Sequence, residues 1–356
     1  MTRIEWATKT WEVTSGCTPV SKGCRLCYAR RYAEGRGRRF YPDGFGNVRI
    51  HPERLEDPLH WRRPQRVFVC SRSDLFHEEV PYWVHLRMLN TVALAERHTF
   101  MVLTKRPETM LSFFESDEVA RLATVLKGIW ESSGKVWHWP LPNLWLGSSV
   151  ENQETADARV DLLLRTPAAV RFVSCEPLLE AVEILPKHCT CACGCETVGL
   201  LDRKLWFCAS CFINWCQAGD FINWCHGEKC APRKLDWVIA GGESGPGEMP
   251  DELGARLEAR AAPAAIEWFR SLRDQCRAAG VPFFMKQLGS RPMFELGDNK
   301  PWHASGMMLG DGHGGSFRRD ARLGLRQGFA VHTRDRKGAD MSEWPEDLRI
   351  REWPVS

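Results

Sequence analysis

Short runs of β-branched and aromatic residues recur along the chain, each followed by polar residues and most then by apolar residues at helical spacing. The runs predict seven strands, at Lys9–Thr14, Arg66–Cys70, Thr99–Leu103, Leu144–Gly147, Val170–Val173, Trp237–Ala240 and Pro282–Met285. Four apolar stripes predict helices: Val84, Met88, Leu89 and Val92; Val119, Leu122, Ala123 and Leu126; Ala156, Val160, Leu163 and Leu164; and Ile266, Phe269, Leu272 and Cys276. Strands that alternate with helices are typical of parallel βαβ units. Seven such strands favour a TIM-like α/β barrel, complete or incomplete, over an open sheet.

Charged and hydroxyl side chains follow nearly every predicted strand. The segments at the strand ends are Gly16–Cys17, Ser71–Asp74, Thr104–Arg106, Ser148–Asn152, Ser174–Pro177, Gly241–Ser244 and Lys286–Gln287. A single one has a structural explanation, such as a helix cap at Asn152 or a strand end at Pro177. In parallel barrels, however, the chemistry gathers at the carboxyl ends of the strands. The seven segments together predict one polar cavity.

A cysteine-rich segment interrupts this alternation. We expect an α/β barrel with a C-terminal extension in residues 1–187 and 234–356, and a metal-binding insertion in residues 188–233. The candidate ligands in the insertion are Cys189, Cys191, Cys193, Cys195, Cys208 and Cys211. A Cys-x-Cys pair together with Cys208 and Cys211 would form the tetrahedral thiolate site that structural zinc prefers. A second iron–sulfur cluster and disulfides are the alternatives, and His188 or His226 could replace one thiolate.

Composition limits the cellular setting. The 356 residues contain no run of about 18 apolar residues and no basic-then-apolar leader, and 44% of them are hydrophobic. We therefore expect a cytoplasmic protein with a packed core and no membrane partner. In a reducing compartment, the 15 cysteines indicate metal binding rather than disulfides.

Positive charge is concentrated near the amino terminus. Residues 1–66 contain fourteen Lys or Arg and seven acids, so the remaining 290 residues sum to −4. Five arginines crowd together here: Arg30, Arg31, Arg36, Arg38 and Arg39. They are either ordinary solvated surface charge or a site for a phosphate-rich partner such as nucleic acid, since guanidinium groups bind phosphate oxygens in pairs.

The segment just before these arginines contains three cysteines within eleven residues, Cys17, Cys24 and Cys27. Iron–sulfur clusters are normally held by four cysteine thiolates. Three thiolates would leave one iron open to a substrate or cofactor, much as a catalytic zinc keeps one open position. The spacing therefore predicts a chemical site rather than a purely structural one.

Several motifs in order resemble a known family. They are Ile4–Trp6, Trp11–Tyr28, Leu103–Pro107, Leu146–Asn152, Ser174–Leu178, Asp236–Gly245, Phe284–Gln287 and Lys337–Met341. On these segments the chain resembles the phage- and prophage-encoded, radical-SAM-like three-cysteine proteins, apart from the insertion.

The resemblance implies radical SAM chemistry on a TIM-like barrel. In that class three cysteines hold a [4Fe–4S] cluster whose open iron binds S-adenosylmethionine (SAM). One electron from the cluster releases a 5′-deoxyadenosyl radical, which takes a hydrogen atom from the substrate. The class also implies an electron donor, a reductase or a flavodoxin-type protein. The first cysteine gap is six residues where the usual motif has three, and Leu26 stands where that motif has an aromatic residue.

The leading prediction is a radical SAM enzyme that repairs or modifies a nucleic acid or nucleotide. Gly241-Gly242-Glu243 resembles the element that holds the SAM amino group, although it follows a late strand. The candidate catalytic residues are Lys105, Glu176 and Glu243. The candidate cofactor contacts are Ser71, Ser148, Glu176, Gly241, Gly242, Glu243 and Lys286.

Two other functions stay open. One is a non-catalytic iron–sulfur or zinc protein that binds nucleic acid. The other is a metal-dependent hydrolase or nuclease that uses Asp74, His77, Glu151 and Glu176.

Overall fold

The computed structural model describes residues 4–184, 197–201, 205–208, 234–250, 256–295, 328–331 and 333–354. The described strands are β1 (Lys9–Trp11), β2 (Thr14–Ser15), β3 (Arg49–Ile50), β4 (Arg66–Val69), β5 (Thr99–Thr104), β6 (Leu144–Ser149), β7 (Val170–Cys175), β8 (Thr197–Leu201), β9 (Leu205–Cys208), β10 (Trp237–Gly241), β11 (Pro246–Pro250), β12 (Arg256–Arg260), β13 (Ala264–Ala265), β14 (Phe283–Gln287), β15 (Pro292–Glu295) and β16 (Gly328–Ala330). The described α-helices are α1 (Tyr28–Glu34), α2 (Tyr82–Leu94), α3 (Pro107–Phe114), α4 (Asp117–Ser132), α5 (Gln153–Arg165) and α6 (Ile266–Ala279). Short 3-10 helices lie at Lys22–Cys24, Arg38–Phe40, Pro52–Arg54, Asp57–His60, Met341–Glu343 and Glu346–Leu348.

Seven parallel strands form the central sheet, in the order β1-β4-β5-β6-β7-β10-β14. Each strand pairs with the strand that precedes it in this series, so the order never reverses as it does in doubly wound sheets. Twist then accumulates in one direction, and the sheet curls into a half-barrel. Among the described residues no pairing joins β1 to β14; a C-terminal segment lies along β14 instead, where Arg351 bridges Phe284. The prediction of an incomplete α/β barrel is confirmed at this level.

The first predicted strand needs a correction. Lys9–Thr14 is not continuous, because β1 ends at Trp11 and pairs only with β4. Thr14 belongs to β2, which pairs antiparallel with β3 outside the central sheet. The chain thus leaves the half-barrel directly after β1.

Alternation along the strands separates two apolar layers. In β4, Val67 and Val69 face the helices while Phe68 faces the inside of the half-barrel. The predicted stripe of α2, represented by Val84 and Met88, is fully buried against the helix-side layer. Burying side chains of this size contributes roughly 1.5–3 kcal/mol each, so the period-two pattern of the strands determines both faces of the sheet.

Aromatic rings fill the inside of the half-barrel. Trp6, which precedes β1, packs on Phe68 with ring centroids 4.6 Å apart. Trp237 of β10 stacks on Trp353 at 5.0 Å, so segments from both ends of the chain cover this face. The ring of Phe172 occupies the space beside Gly147, where a Cβ atom would lie 2.5 Å from it. The interior of the half-barrel is thus filled, and polar side chains gather at the carboxyl edge of the sheet.

The predicted insertion lies mostly outside the described residues. Of it, the structure describes the antiparallel pair of β8 and β9, and Cys208 is the last residue of β9. Cys189, Cys191, Cys193, Cys195 and Cys211 are outside the described ranges, so the predicted domain limits and metal site stay predictions. No helix in the described part of the chain is long and apolar enough to cross a membrane.

Candidate functional site

A cavity of about 260 Å³ lies at the carboxyl edge of the sheet, and six of its seven strands, all but β1, line it with residues at or after their ends. These strand-end residues are Ser71, Ser73, Asp74, Thr104, Lys105, Arg106, Ser149, Ser174, Glu176, Gly242, Glu243, Ser244, Lys286 and Gln287, and Cys17, which follows β2, joins them. We call it the strand-end cavity. The sequence predicted one polar cavity at these ends, and the structure brings them together.

The three cysteines of the amino-terminal motif line the same cavity. They lie in the long segment that connects β1 to β4. This segment turns at Gly16, which has a positive φ of 88°. A Cβ atom at Gly16 would lie 2.2 Å from the Asn47 carbonyl oxygen, so the turn requires glycine. Cys24 ends a 3-10 helix and Cys27 directly precedes α1. These local turns bring Cys17, Cys24 and Cys27 to the lining of the cavity.

Cys17 lies beside a buried ion pair. The Arg106 guanidinium is 4% exposed, and its Nη1 lies 3.4 Å from Asp74 Oδ2 and 3.7 Å from Cys17 Sγ. Its Nη2 donates to Thr18 Oγ1 at 2.9 Å. Burial and the nearby Asp74 carboxylate raise the pKa of the Cys17 thiol to about 11, against the opposing effect of Arg106. Arg106 therefore fixes the Cys17 loop to the ends of β4 and β5.

Cys24 has the opposite electrostatic setting. Burial raises the pKa of its thiol, but the Lys105 ammonium and hydrogen bonds with the Val20–Ser21 segment outweigh this effect. The pKa of Cys24 is therefore below the usual value. Lys105 Nζ is in turn ion-paired with Glu151 Oε1. Thiolates are the metal-binding form of cysteine. Cys24 therefore reaches this form more readily than Cys17 does.

Glu151 connects the cysteine loop to the sheet. Its side chain is 1% exposed, Ser21 Oγ donates to its Oε1 at 2.8 Å, and Arg159 Nη1 donates to its Oε2 at 3.1 Å. The backbone of Gly23 lies against the same carboxylate: a Cβ atom there would be 2.5 Å from Glu151 Cγ. A larger residue than glycine would displace either the loop or the acid.

Glu176 and Lys286 form an ion pair across β10. Lys286 Nζ lies 3.1 Å from Glu176 Oε1, and Ser174 Oγ donates to Glu176 Oε2 at 3.0 Å. The pair passes over Gly241, where a Cβ atom would lie 2.5 Å from Glu176 Oε1. At Gly242 a Cβ atom would lie 2.2 Å from the Leu288 carbonyl oxygen. Both glycines of the Gly-Gly-Glu element therefore have a packing reason that needs no cofactor.

Glu243 and the neighbouring Ser244 each contact an arginine of the cysteine segment. The Glu243 carboxylate is 5% exposed, accepts a hydrogen bond from the Ala262 amide at 2.6 Å, and lies 3.4 Å from Arg25 Nη2. Arg31 Nη2 donates to the Ser244 carbonyl at 3.0 Å. Arg25 and Arg31 both come from the cysteine segment, so this segment closes over the end of β10.

The family assignment rests on most of the chain. Residues 1–313 match the family described as "Protein of unknown function (DUF5131)". The chain belongs to this family. No curated protein and no solved structure matches the chain. This family description assigns no activity, so we argue the function from the cavity.

Most of the predicted site residues meet at the cavity, and some do not. Ser148 is fully buried and donates to the Thr104 carbonyl at 3.3 Å instead of lining the cavity. Gly241 is likewise absent from the lining. Arg31 lines the cavity, whereas the other arginines lie outside it: Arg30 on α1, Arg38 and Arg39 on the following 3-10 helix, and Arg36 in the turn between them.

Sequence reasoning missed several residues of the site. Glu12, which follows β1, is buried and accepts a hydrogen bond from Ser71 Oγ; its position after a strand is a signal that could have found it. Cys70 lines the cavity with an unusual positive φ of 56°. Arg159 reaches Glu151 from the middle of α5, where nothing in the sequence distinguishes it from a surface charge.

The candidate ligands for a metal group are the three thiols. In the described part of the chain, no group of three or more His, Cys, Asp or Glu side chains converges on the position of one metal ion. In an iron–sulfur cluster, by contrast, each cysteine binds its own iron, so the ligands need only face one cavity.

Proposed function

We propose that this protein is a radical-SAM-type iron–sulfur enzyme that acts on a nucleic acid or a nucleotide. One observation carries the proposal: Cys17, Cys24 and Cys27 line the same cavity as the carboxyl ends of six of the seven parallel strands. A cluster held there would face the polar groups of these strand ends. The motif resemblance to radical-SAM-like three-cysteine proteins supports the same function.

The donor set suits a [4Fe–4S] cluster. Thiolates are the ligands that iron–sulfur clusters use, and Cys17, Cys24 and Cys27 would each bind one iron. Thiolates and cluster carry negative charge, and two cations lie next to these cysteines. Arg106 lies 3.7 Å from Cys17 Sγ, and Lys105 lowers the pKa of Cys24. Positive charge and N–H groups near the sulfurs favour the bound and the reduced forms of a cluster.

When bound, the cluster with SAM supplies a 5′-deoxyadenosyl radical able to take a hydrogen atom from an unactivated position. The protein's own groups would bind and orient the cofactor and the substrate. Glu176 and Glu243 present carboxylate oxygens to the cavity that can accept hydrogen bonds from the ammonium or hydroxyl groups of a nucleoside cofactor. Lys286 can pair with a carboxylate or a phosphate. The aromatic filling behind the cavity excludes water from this side.

Other observations bear on the alternatives. The non-catalytic alternative requires a fourth cluster ligand, and Cys70 is the cavity-lining thiol that could provide one. The hydrolase alternative requires carboxylates that are free to bind a metal. Asp74 instead accepts hydrogen bonds from Thr104 Oγ1 at 2.7 Å and from the amides of Phe76 and Lys105 at 3.0 Å. The iron–sulfur proposal is therefore the one that we favour.

The test is anaerobic reconstitution of the full chain with iron and sulfide, followed by electron paramagnetic resonance of the reduced protein with and without SAM. We expect a cluster signal that SAM changes, and formation of 5′-deoxyadenosine. Cys24→Ala should abolish both. Cys276→Ala, which removes a thiol buried in α6 outside the cavity, should abolish neither.

Cys70→Ala separates the enzyme from the non-catalytic protein. If three cysteines hold the cluster, this variant keeps the iron and the response to SAM. Loss of the cluster in Cys70→Ala, together with a wild-type spectrum that SAM does not change, would contradict the proposed function.

We also propose that the cysteine-rich insertion binds zinc. The proposal rests on the Cys-x-Cys and Cys208–Cys211 spacing in the sequence. Metal analysis of the Cys208→Ser, Cys211→Ser double variant should find less zinc and unchanged iron. Loss of iron instead would indicate a second cluster.

A further inference from the structure

The surface beside the three cysteines is strongly basic. Residues 22–40 contain the single acid Glu34 and seven cations, which are Lys22, Arg25, Arg30, Arg31, Arg36, Arg38 and Arg39. Arg25 and Arg31 are engaged at the end of β10, as described above. The remaining five, which we call the basic surface, form no ion pair with any residue that the structure describes. Four of them are exposed, and Arg30 is half-buried.

Such a cluster of unpaired cations requires a physical reason. Like charges this close repel one another and destabilise the folded state. A polyanion that neutralises them gains the entropy of the counterions that it releases. The basic surface is therefore best explained by a phosphate-rich partner rather than by stability of the fold.

Two large aromatic side chains are exposed on the same surface. Tyr28, at the start of α1, is 52% exposed, and Phe40, at the end of the adjacent 3-10 helix, is 53% exposed. The Arg39 guanidinium lies over the Phe40 ring at 4.7 Å. Aromatic rings among arginines are the arrangement by which proteins bind unpaired bases, since the rings stack on the bases while the cations follow the phosphates. A duplex keeps its base faces stacked inside and cannot use such rings.

Tyr28 joins this surface to the cavity. It lines the strand-end cavity, it follows Cys27 directly, and its hydroxyl donates to the Ser71 carbonyl. We infer that the basic surface binds a single-stranded nucleic acid, DNA or RNA, and that one unpaired base stacks on Tyr28 at the entrance of the cavity. This inference rests on the proposed function for its nucleic-acid substrate, and it specifies the form of that substrate. A base has to leave its helix to reach chemistry in such a cavity.

The first experiment measures binding by fluorescence anisotropy with the full, reconstituted chain. The probes are a labelled oligonucleotide of about 16 nucleotides, as DNA and as RNA, and the duplex of the same sequence. We expect tighter binding of a single strand than of the duplex. We also expect an affinity that falls as salt rises. The Arg38→Gln, Arg39→Gln double variant should reduce the slope of log K against log salt by about 1.4, because each phosphate contact contributes about 0.7 on a single strand.

A matched control tests whether the change in salt dependence is specific to the basic surface. Arg121→Gln removes a cation from the exposed face of α4 and should leave the slope unchanged. If the double variant and Arg121→Gln gave the same slope of log K against log salt, the basic surface would not be the phosphate-binding site.

The stacking step has its own variants. Tyr28→Leu should weaken single-strand binding by about 5- to 100-fold, the usual loss of one base–aromatic stack. Tyr28→Phe keeps the ring and removes only the hydroxyl, so it should restore most of the affinity. Trp139→Leu removes an exposed aromatic ring just before β6 begins, at the amino end of the sheet, and should have no effect.

The outcomes distinguish this inference from the proposed function. Equal binding of single strand, duplex and inorganic polyphosphate, with no loss in Tyr28→Leu, would overturn the inference. Preferential binding of polyglutamate would also overturn it and would indicate an acidic protein partner. The same preparations are assayed for 5′-deoxyadenosine. Single-strand binding without SAM cleavage contradicts only the enzyme, and SAM cleavage without single-strand preference contradicts only this inference.

Discussion

The inside of the strand-end cavity and the basic surface beside it are both rich in charge, but they differ in how the charges are partnered. Inside, each strand-end acid meets a cation. The pairs are Asp74–Arg106, Glu151–Lys105, Glu176–Lys286 and Glu243–Arg25. Outside, the cations of the basic surface have no acidic partner among the described residues.

The difference teaches what each set of charges can do. Buried charges are stable only when they are paired, and their pairing fixes geometry more than it adds stability. The internal pairs therefore fix the positions of the cysteine loop and the strand ends relative to each other. Exposed, unpaired arginines stay hydrated and keep their hydrogen-bond donors available for an anion. The net charge of residues 1–66 thus combines arginines that position the cysteine segment with arginines for which we propose a binding role.

The largest predicted contrast is between Glu151 and Arg38. Glu151→Ala should lower the free energy of unfolding by about 3–5 kcal/mol, because it leaves the buried Arg159 without its carboxylate partner. Arg38→Gln should change it by less than about 0.5 kcal/mol, since Arg38 is exposed and unpaired. Urea denaturation of both variants measures the difference. Similar losses in the two variants would remove the distinction between paired and unpaired charges.

A smaller effect is expected from the glycine that lets Glu151 reach the cysteine loop. Gly23→Ala places a Cβ atom 2.5 Å from Glu151 Cγ and should cost about 1–3 kcal/mol, as overpacking usually does. Gly46→Ala, in the same segment, meets no atom within 4 Å and should be neutral or slightly stabilising. Thermal unfolding compares the two. If Gly46→Ala were as destabilising as Gly23→Ala, chain flexibility rather than contact with Glu151 would be the reason for glycine.

The sheet was predictable from the sequence because its signal is local. Val67, Phe68 and Val69 alternate between two apolar layers, and each strand repeats this period. Once the strands are parallel, their carboxyl ends must meet at one edge, so the cavity followed as well. The interruption after Trp11 was not predictable, since Thr14 is as β-prone as its neighbours and its pairing with Ile50 depends on a distant strand.

The contacts inside the cavity were not predictable for a related reason. Ser21 donates to Glu151, which lies 130 positions away, and no spacing rule links such residues. The Gly-Gly-Glu element shows what packing adds to a motif. Its sequence resembles a cofactor motif, yet the space around Gly241 and Gly242 is already occupied by Glu176 and by the Leu288 carbonyl. A short motif indicates that glycine is required at a position. The packing around that glycine shows which neighbouring atoms require it.

The smallest expected effect concerns pH, and it comes from two buried histidines, His77 and His85. Burial and the charge of Arg106 lower the pKa of His77, and burial lowers that of His85. In the unfolded chain both bind protons near pH 6.5, whereas in the folded chain they stay neutral to lower pH. The unfolded state therefore takes up more protons as the pH falls, and stability present above about pH 6.5 is progressively lost below it. We expect the Tm to fall from pH 7 to pH 5, and to fall less in His85→Gln. A Tm that does not fall from pH 7 to pH 5, or a fall that is just as large in His85→Gln, would contradict the role given to the histidines.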